Sequence, residues 1–321
     1  MKIIKKLMQI ALAFFFFSLL ATSAVLADDA DSEGWKFVQE NGRTYYKKGD
    51  IKEKAWRVID GKTYYFDYVS GEMVVGWQYI PAPHEGVTIG SSIRQDIAFR
   101  PDWFYFGQDG VLQEFVGKQV LEAKTATNVN KHHGEQYNSP AEKRVYYFED
   151  QRSYHTLKTG WIYDEGHWYY LLKDGGFDSR INRLTVGELA RGWVKDFPLT
   201  YDEDKLKAAP WYYLDPTTGI MQTGWQYLGN KWYYLRSSGA MATGWYQEGS
   251  TWYYLDAENG DMQTGWQYLG NKWYYLRSSG AMATGWFQVG SKWYYAYSSG
   301  TLAVNTTVEG YSVNYNGEWV Q

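Results

Sequence analysis

Residues 221–245 recur letter for letter at 262–286, an offset of 41 residues. A chain that copies itself in this way is built from one supersecondary unit stacked on further copies of itself. Within the step lies a shorter unit of about 20 residues: Gly-Trp, a short spacer, Trp-Tyr-Tyr-Leu, a Gly-containing turn, then Met or Leu and the next Gly-Trp. Gly-Trp occurs at Trp35, Trp77, Trp161, Trp193, Trp225, Trp245, Trp266 and Trp286. Trp-Tyr-Tyr begins at Trp168, Trp211, Trp232, Trp252, Trp273 and Trp293, with weaker versions at Thr44, Thr63, Trp103 and Val145.

Each unit reads as a β-hairpin. Aromatic strand formers around Trp225 and Trp232 flank Gly229-Asn230, a two-residue connection suited to a twisted hairpin, and Gly249-Ser250, Gly270-Asn271 and Gly290-Ser291 recur at the same place. A lone hairpin is marginal in water, so the units must stack to bury their faces. The expected fold is therefore all-β, a solenoid of stacked hairpins with atypical units such as residues 311–321 at the ends. A chain of 321 residues allows one to three domains. With 19% aromatic residues and 33 Gly, the composition fits this reading and excludes collagen, coiled coil and a disordered tail.

Strand alternation puts Trp232 and Tyr234 on one face and Tyr233 and Leu235 on the other. Three readings of the rings stay open. They are core; or they stack on sugars, which ordinarily wants acidic or amide neighbours where Lys231 and Tyr233 stand; or rings of neighbouring hairpins form π-faced boxes of the kind that hold quaternary ammonium groups. The last is favoured because a thin hairpin layer cannot bury so much ring area.

Residues 1–27 carry Lys2, Lys5 and Lys6, an apolar run from Leu7 to Leu20 and small residues up to Ala27, the layout of a secretory signal peptide; the alternative is an uncleaved anchor. The absence of Cys excludes disulfides and thiolate metal sites, and together with export suggests a Gram-positive surface. The formal charge of −4 becomes three units more negative without the leader, which argues against nucleic acid as a partner.

The unit Gly-Trp, Trp-Tyr-Tyr-Leu, Gly-Ala-Met-Ala-Thr-Gly-Trp resembles the choline-binding repeats of streptococcal cell-surface proteins. The match is specific over residues 161–321, read as a consensus repeat module, and looser over 28–160, read as modified repeats; the whole chain is similar to pneumococcal proteins of the choline-binding protein F group. The resemblance implies phosphocholine of teichoic or lipoteichoic acid as ligand, held by the two Trp of one unit, a Tyr of the next hairpin and a Met. Carried over, it implies the sets Trp225, Trp232, Met241, Tyr254; Trp245, Trp252, Met262, Tyr275; and Trp266, Trp273, Met282, Tyr295. Two further sets are Trp193, Trp211, Met221, Tyr234, and Trp161, Trp168, Tyr213 without a Met. Trp286 and Trp293 lack a standard following hairpin, so that end caps the solenoid or forms a choline-linked dimer contact.

Thr44, Thr63 and Val145 replace the hairpin Trp, and Lys118 follows Gly117 where a Trp is expected; the first half should keep the fold and lose the ligand. Insertions at 78–102, 118–144 and 173–210 are candidate partner surfaces. No segment free of repeats is long enough for a catalytic module. His132 and His133, like His84, His155 and His167, and the pair Asp202 and Asp204, read as solvated loop residues, so no catalytic, metal or cofactor site is expected. The resulting expectation is a secreted, non-catalytic protein attached non-covalently to the wall. By resemblance it modulates a wall-lytic lysozyme, and the alternative is an adhesin that binds a host protein.

Overall fold

The computed structural model describes residues 34–82, 101–135, 142–151, 154–173, 183–198 and 202–321. The leader at 1–27, His84 and parts of all three insertions lie outside the described residues. The described chain is all-β hairpins apart from one short α-helix, Glu203–Ala208, and one 3-10 turn, Arg183–Thr185. It divides into two compact units: residues up to Gln113 together with Asn128–Asn138, and Glu114–Thr127 together with Ser139–Gln321.

In the second unit six antiparallel hairpins follow one another. They pair Gly160–Asp164 with His167–Leu171, Gly192–Lys195 with Trp211–Leu214, Gly224–Leu228 with Lys231–Leu235, Gly244–Glu248 with Thr251–Leu255, Gly265–Leu269 with Lys272–Leu276, and Gly285–Val289 with Lys292–Ala296. At the Gly229-Asn230 turn both residues have positive φ, 56° and 64°, the backbone that lets a two-residue loop follow the strand twist. In five of the six hairpins the second strand ends in a fully buried leucine: Leu171, Leu214, Leu235, Leu255 and Leu276. The turn after each hairpin reaches back over the hairpin before it, as where the Met262 N–H donates to the Trp232 carbonyl at 2.7 Å. Beside this contact Lys231 Nζ donates to Asp261 at 2.9 Å.

The repeat runs on through residues where the sequence looks degenerate. Gly117–Glu122 pairs with Lys143–Gln151, which carries Tyr154–Leu157 on its other edge, and Lys118 stands opposite Tyr147 as Trp225 stands opposite Tyr234. Asp202 is exposed, as expected, and caps the helix Glu203–Ala208, accepting from the Asp204 and Lys205 amides.

The first unit holds the hairpins Lys36–Glu40 with Arg43–Lys48, Ala55–Ile59 with Lys62–Phe66, and Val74–Pro81 with Pro101–Phe106. Lys131–His132, from the insertion, adds to the Val74 end of the last of these. The two histidines expected in solvent are therefore packed. His132 lies 3.7 Å from both Asp67 and Glu72 and 3.5 Å from Glu135, and His133 Nδ1 is 2.7 Å from the Thr44 hydroxyl. Burial pushes His133 toward its neutral form. The segment is seated by Gly134, at φ 89°, where an added Cβ would stand 1.8 Å from the Gly42 carbonyl oxygen. Gly134→Ala is expected to destabilise this unit by about 1–3 kcal/mol through overpacking, seen as a lower thermal midpoint with no loss of retention on a quaternary-amine resin.

Candidate functional site

The antiparallel register decides which rings share a face. Trp225 stands opposite Tyr234 and Tyr227 opposite Trp232, so four rings lie on the front of one hairpin, with Gln226 and Tyr233 on its back. Trp225 meets Trp232 edge-on at 6.4 Å and Tyr234 at 5.2 Å, and Tyr227 supports Trp232 at 5.1 Å. The remaining wall comes from the back of the next hairpin, where Tyr253 approaches Trp225 to 4.9 Å and Tyr246 to 6.1 Å.

The same cage recurs. Trp245 faces Trp252 at 6.4 Å and Tyr274 at 4.9 Å; Trp266 faces Trp273 at 6.4 Å and Tyr294 at 4.9 Å. Trp193 meets Tyr233 at 5.0 Å, and Trp161 meets Tyr212 at 4.6 Å.

The tyrosine packed on the Gly-Trp ring of the preceding hairpin is thus the first of each Tyr-Tyr pair, one residue before those named from the sequence. Tyr254, Tyr275, Tyr234 and Tyr213 lie instead against the Gly-Trp ring of their own hairpins, Trp245, Trp266, Trp225 and Trp193, at 5.0–5.2 Å. Tyr295 likewise packs on Trp286 at 5.2 Å. The reason is that the hairpins stack front to back. Alternation from the hairpin Trp selects a ring on the front, and the front of the next hairpin already serves the next cage.

The backbone of each methionine is bonded to an earlier hairpin for a related reason. Because each turn folds back over the preceding hairpin, the Met241 amide bonds to the Trp211 carbonyl, Met262 to Trp232, Met282 to Trp252 and Met221 to Trp168, at 2.7–2.9 Å. Met221 accordingly packs against the same buried cluster of Tyr170, Ala190 and Leu214 as Trp161 and Tyr212 do, near the set expected to have no Met, while the Leu302 amide bonds to the Trp273 carbonyl. Each Met is seated on a glycine of the following turn; at Gly260 an added Cβ would lie 2.5 Å from Met241 Sδ.

These cages are open. Trp168, Trp211, Trp232, Trp252, Trp273 and Trp293 keep 37–46% of their surface exposed, too much for core. The first unit contains the same ring set in closed form: Trp77 lies 6.2 Å from Trp103 and 5.2 Å from Tyr105, but Trp77 and Trp103 are only 0% and 3% exposed. Val129 and Asn130 of the insertion pair with Trp77 and Tyr79 there. Elsewhere the chain supplies its own ammonium. Lys52 Nζ sits 3.3 Å from the Tyr45 ring centre; Lys124 Nζ lies 4.3 Å from that of Tyr146, but burial pushes its amine down to about 7, so near neutral pH it is an ammonium only part of the time. In the second unit Lys195 stands opposite Trp211 with Nζ 5.7 Å from its ring.

A carboxylate accompanies some cages, a feature the sequence reading missed. Glu248 accepts the Trp225 indole N–H at 3.0 Å. Asp196 accepts that of Trp161 at 3.0 Å, together with the Tyr170 hydroxyl and the Lys173 ammonium. Burial alone would raise the Asp196 carboxyl, but these donors outweigh it and hold it below the usual range. Half-exposed π faces set edge to face, some beside a carboxylate, are surfaces whose chemistry suits a compact, weakly hydrated cation.

Comparison with known proteins agrees with this geometry. A choline-binding repeat model matches residues 222–264 and 263–306, and a putative cell wall binding repeat model matches 159–177. The structure of CbpJ from Streptococcus pneumoniae is 60% identical, with 89% of this chain and 100% of that chain covered and a TM-score of 0.70. Choline-binding protein F from S. pneumoniae, solved in complex with ipratropium, is 55% identical over 90% of this chain and 99% of that chain, with a TM-score of 0.67. Its structure in the presence of a peptidoglycan analogue is 54% identical over the same shares, with a TM-score of 0.66. No curated protein sequence matches the chain. The front-to-back stack of hairpins, the repeat models and the full-length likeness to two pneumococcal proteins together show that this chain belongs to the choline-binding protein family, whose repeats bind the Gram-positive cell wall.

Proposed function

We propose that the second unit anchors a secreted, non-catalytic protein to phosphocholine of teichoic and lipoteichoic acid, and that the anchored chain inhibits a wall-lytic lysozyme. The observation that carries the anchor is the ring from the back of one hairpin closing on two Trp from the front of another, with the hairpin Trp left half-exposed. The choline cages are then Trp225, Trp232, Tyr253, Met262; Trp245, Trp252, Tyr274, Met282; Trp266, Trp273, Tyr294, Leu302; Trp193, Trp211, Tyr233, Met241; and Trp161, Trp168, Tyr212, Met221. A desolvated ring contributes on the order of 0.5–2 kcal/mol to holding a cation. One cage is therefore weak, and attachment comes from several cages meeting one polymer that carries many choline groups.

The Trp193 cage is the weakest of these, because the Lys195 ammonium, held by the Lys207 carbonyl at 3.0 Å, lies between the rings of Phe197 at 5.4 Å and Trp211 at 5.7 Å and places a like charge there. Lys195→Gln is expected to strengthen choline binding there, read as a choline-induced shift of the Trp193 indole resonance at lower choline concentration.

Inhibition of a lysozyme follows if the protein occupies choline that the enzyme needs, and the choline-binding protein F structure with a peptidoglycan analogue supports the wall as the setting. Turbidity of choline-containing walls tests this. The protein should slow clearing by an added choline-dependent lysozyme and clear nothing alone. Unchanged clearing contradicts the regulatory part, and clearing by the protein alone contradicts the non-catalytic part.

A further inference from the structure

An asparagine followed by glycine is where a chain can attack itself, since no side chain on the glycine shields its amide nitrogen from the asparagine's side-chain amide carbon. The described residues hold three such pairs: Asn41-Gly42, Asn259-Gly260 and Asn316-Gly317. All three asparagines are exposed, but Gly260 and Gly317 are buried, and of the three glycines Gly42 alone is exposed. An added Cβ would lie 2.5 Å from Met241 Sδ at Gly260 and 2.6 Å from Leu302 at Gly317; at Gly42 it would meet nothing within 4 Å.

Hydrogen bonding separates the pairs in the same way. The glycine nitrogen must lose its proton before it attacks, so an amide held in a hydrogen bond reacts slowly. The Gly260 amide donates to the Asp256 carbonyl at 3.0 Å and the Gly317 amide to the Asn314 carbonyl at 2.9 Å. At the first pair Glu40 stands opposite Arg43 across the turn, and the Gly42 amide has no acceptor among the described residues. Asn41 lies at φ 53° and Gly42 at φ 77°. The first is a region an L-residue enters at a cost and the second residue is the most pliant of all, so this turn gives up little when a ring closes there.

We propose that Asn41 is a site of spontaneous deamidation, and that its isoaspartate product unseats the strand Lys131–His132 from the first unit. The Gly42 nitrogen bonds to the Asn41 side-chain carbon and ammonia leaves, giving a succinimide. Water then opens the ring at one carbonyl or the other, to aspartate or to isoaspartate. Water is the sole co-reactant, and nothing is oxidised or reduced. Isoaspartate routes the main chain through the side chain, which adds one backbone carbon to a two-residue turn whose fit to the strand twist does not allow it. That turn is also a seat. An added Cβ on Gly134 would stand 1.8 Å from the Gly42 carbonyl oxygen, so the two backbones are in contact there. From the same segment His133 Nδ1 lies 2.7 Å from the Thr44 hydroxyl, and Lys131 and His132 pair with Val75 and Val74. Displacing the Gly42 carbonyl takes away the surface on which Gly134 rests.

The test ages the full chain at neutral and at mildly alkaline pH, digests it under mildly acidic conditions and follows each Asn-Gly peptide by mass spectrometry with electron-transfer fragmentation, which separates aspartate from isoaspartate. The Asn41 peptide should convert about fivefold faster or more than the Asn259 and Asn316 peptides, the factor that one net hydrogen bond imposes on the other two. Its rate should rise with pH, and in denaturant all three should convert at like rates. By hydrogen exchange the aged chain should lose protection at the Lys131, His132 and His133 amides. Freshly purified Asn41→Asp should keep that protection, because aspartate leaves the main chain unchanged. Conversion of Asn41 no faster than of Asn259 and Asn316 in the folded chain overturns the site. Fast conversion with protection intact overturns the unseating, and loss of protection in fresh Asn41→Asp assigns the effect to charge and overturns the part given to isoaspartate.

Discussion

Replacing Trp232, Trp252 and Trp273 together by Ala is expected to abolish retention on a quaternary-amine resin. Each of the three stands in the front of a different cage, beside Trp225, Trp245 and Trp266 at 6.4 Å. Loss of one such ring removes on the order of 0.5–2 kcal/mol from its own cage, a modest effect for a single site. The loss compounds because attachment is multivalent, and an avidity gain of roughly 10²–10⁴-fold disappears when neighbouring sites can no longer engage one surface. The fold should survive, since these rings are 37–46% exposed and the buried leucines at the strand ends are untouched. The measurement is choline-dependent elution of the triple variant beside far-ultraviolet circular dichroism of the same sample. Retention at the wild-type level would show that the rings are not the binding surface.

Leu255→Ala is expected to act in the opposite sense, on the stack and only secondarily on the ligand. Leu255 is fully buried at the end of its strand, opposite Gly244, so its removal leaves a cavity between layers. A buried Leu→Ala change costs about 2–5 kcal/mol. In a stack whose members touch only their neighbours that loss stays local. Hydrogen exchange should therefore show the amides of Gly244–Glu248 and Thr251–Leu255 losing protection, with the hairpins of the first unit unchanged. Uniform loss across both units would contradict a stack of semi-independent layers.

The two substitutions also show which parts of the molecule the sequence displays. Hairpins, their turns and their order are visible because period two, Gly-Asn turns and the 41-residue copy are local signals, and the Gly-Trp and hairpin Trp of each cage follow from them. What closes a cage is set between hairpins and is not local. Strand alternation puts Tyr254 on the same face as Trp252, but front-to-back stacking brings Tyr253, on the other face, to Trp225. A signal was present: units related by repetition along a stack present unlike faces to each other, so the facing ring must come from the opposite parity. The placement of the Met backbone has the same origin, because the turn after a hairpin folds over its predecessor and bonds the Met262 amide to the Trp232 carbonyl.

The 41-residue step itself acquires a physical meaning from the back faces. Along the stack the residue opposite the facing tyrosine alternates, Gln226, Tyr246, Gln267, Phe287, so consecutive cages have different floors. In the Trp225 cage Tyr246 stacks on Tyr234 at 3.9 Å, and in the Trp266 cage Phe287 stacks on Tyr275 at 5.1 Å. Where Gln267 stands instead, its amide turns to the Thr264 carbonyl. Two hairpins pass before a similar environment returns, in step with the 41-residue offset between the identical stretches.

The closed Trp77 and Trp103 set could not be distinguished from an open cage by its own residues, because what buries it includes the insertion residues Val129 and Asn130, far along the chain. For the same reason the lysines over Tyr45 and Tyr146 give no local signal.

Co-sedimentation of the full chain with purified pneumococcal walls tests the central claim most directly, using walls that carry choline and walls grown with ethanolamine in its place. Cages built for a quaternary ammonium predict pelleting with choline walls, release by free choline, and little pelleting with ethanolamine walls, whose primary ammonium is smaller and more strongly hydrated. Equal pelleting with both kinds of wall, or pelleting that free choline does not reverse, would contradict the account.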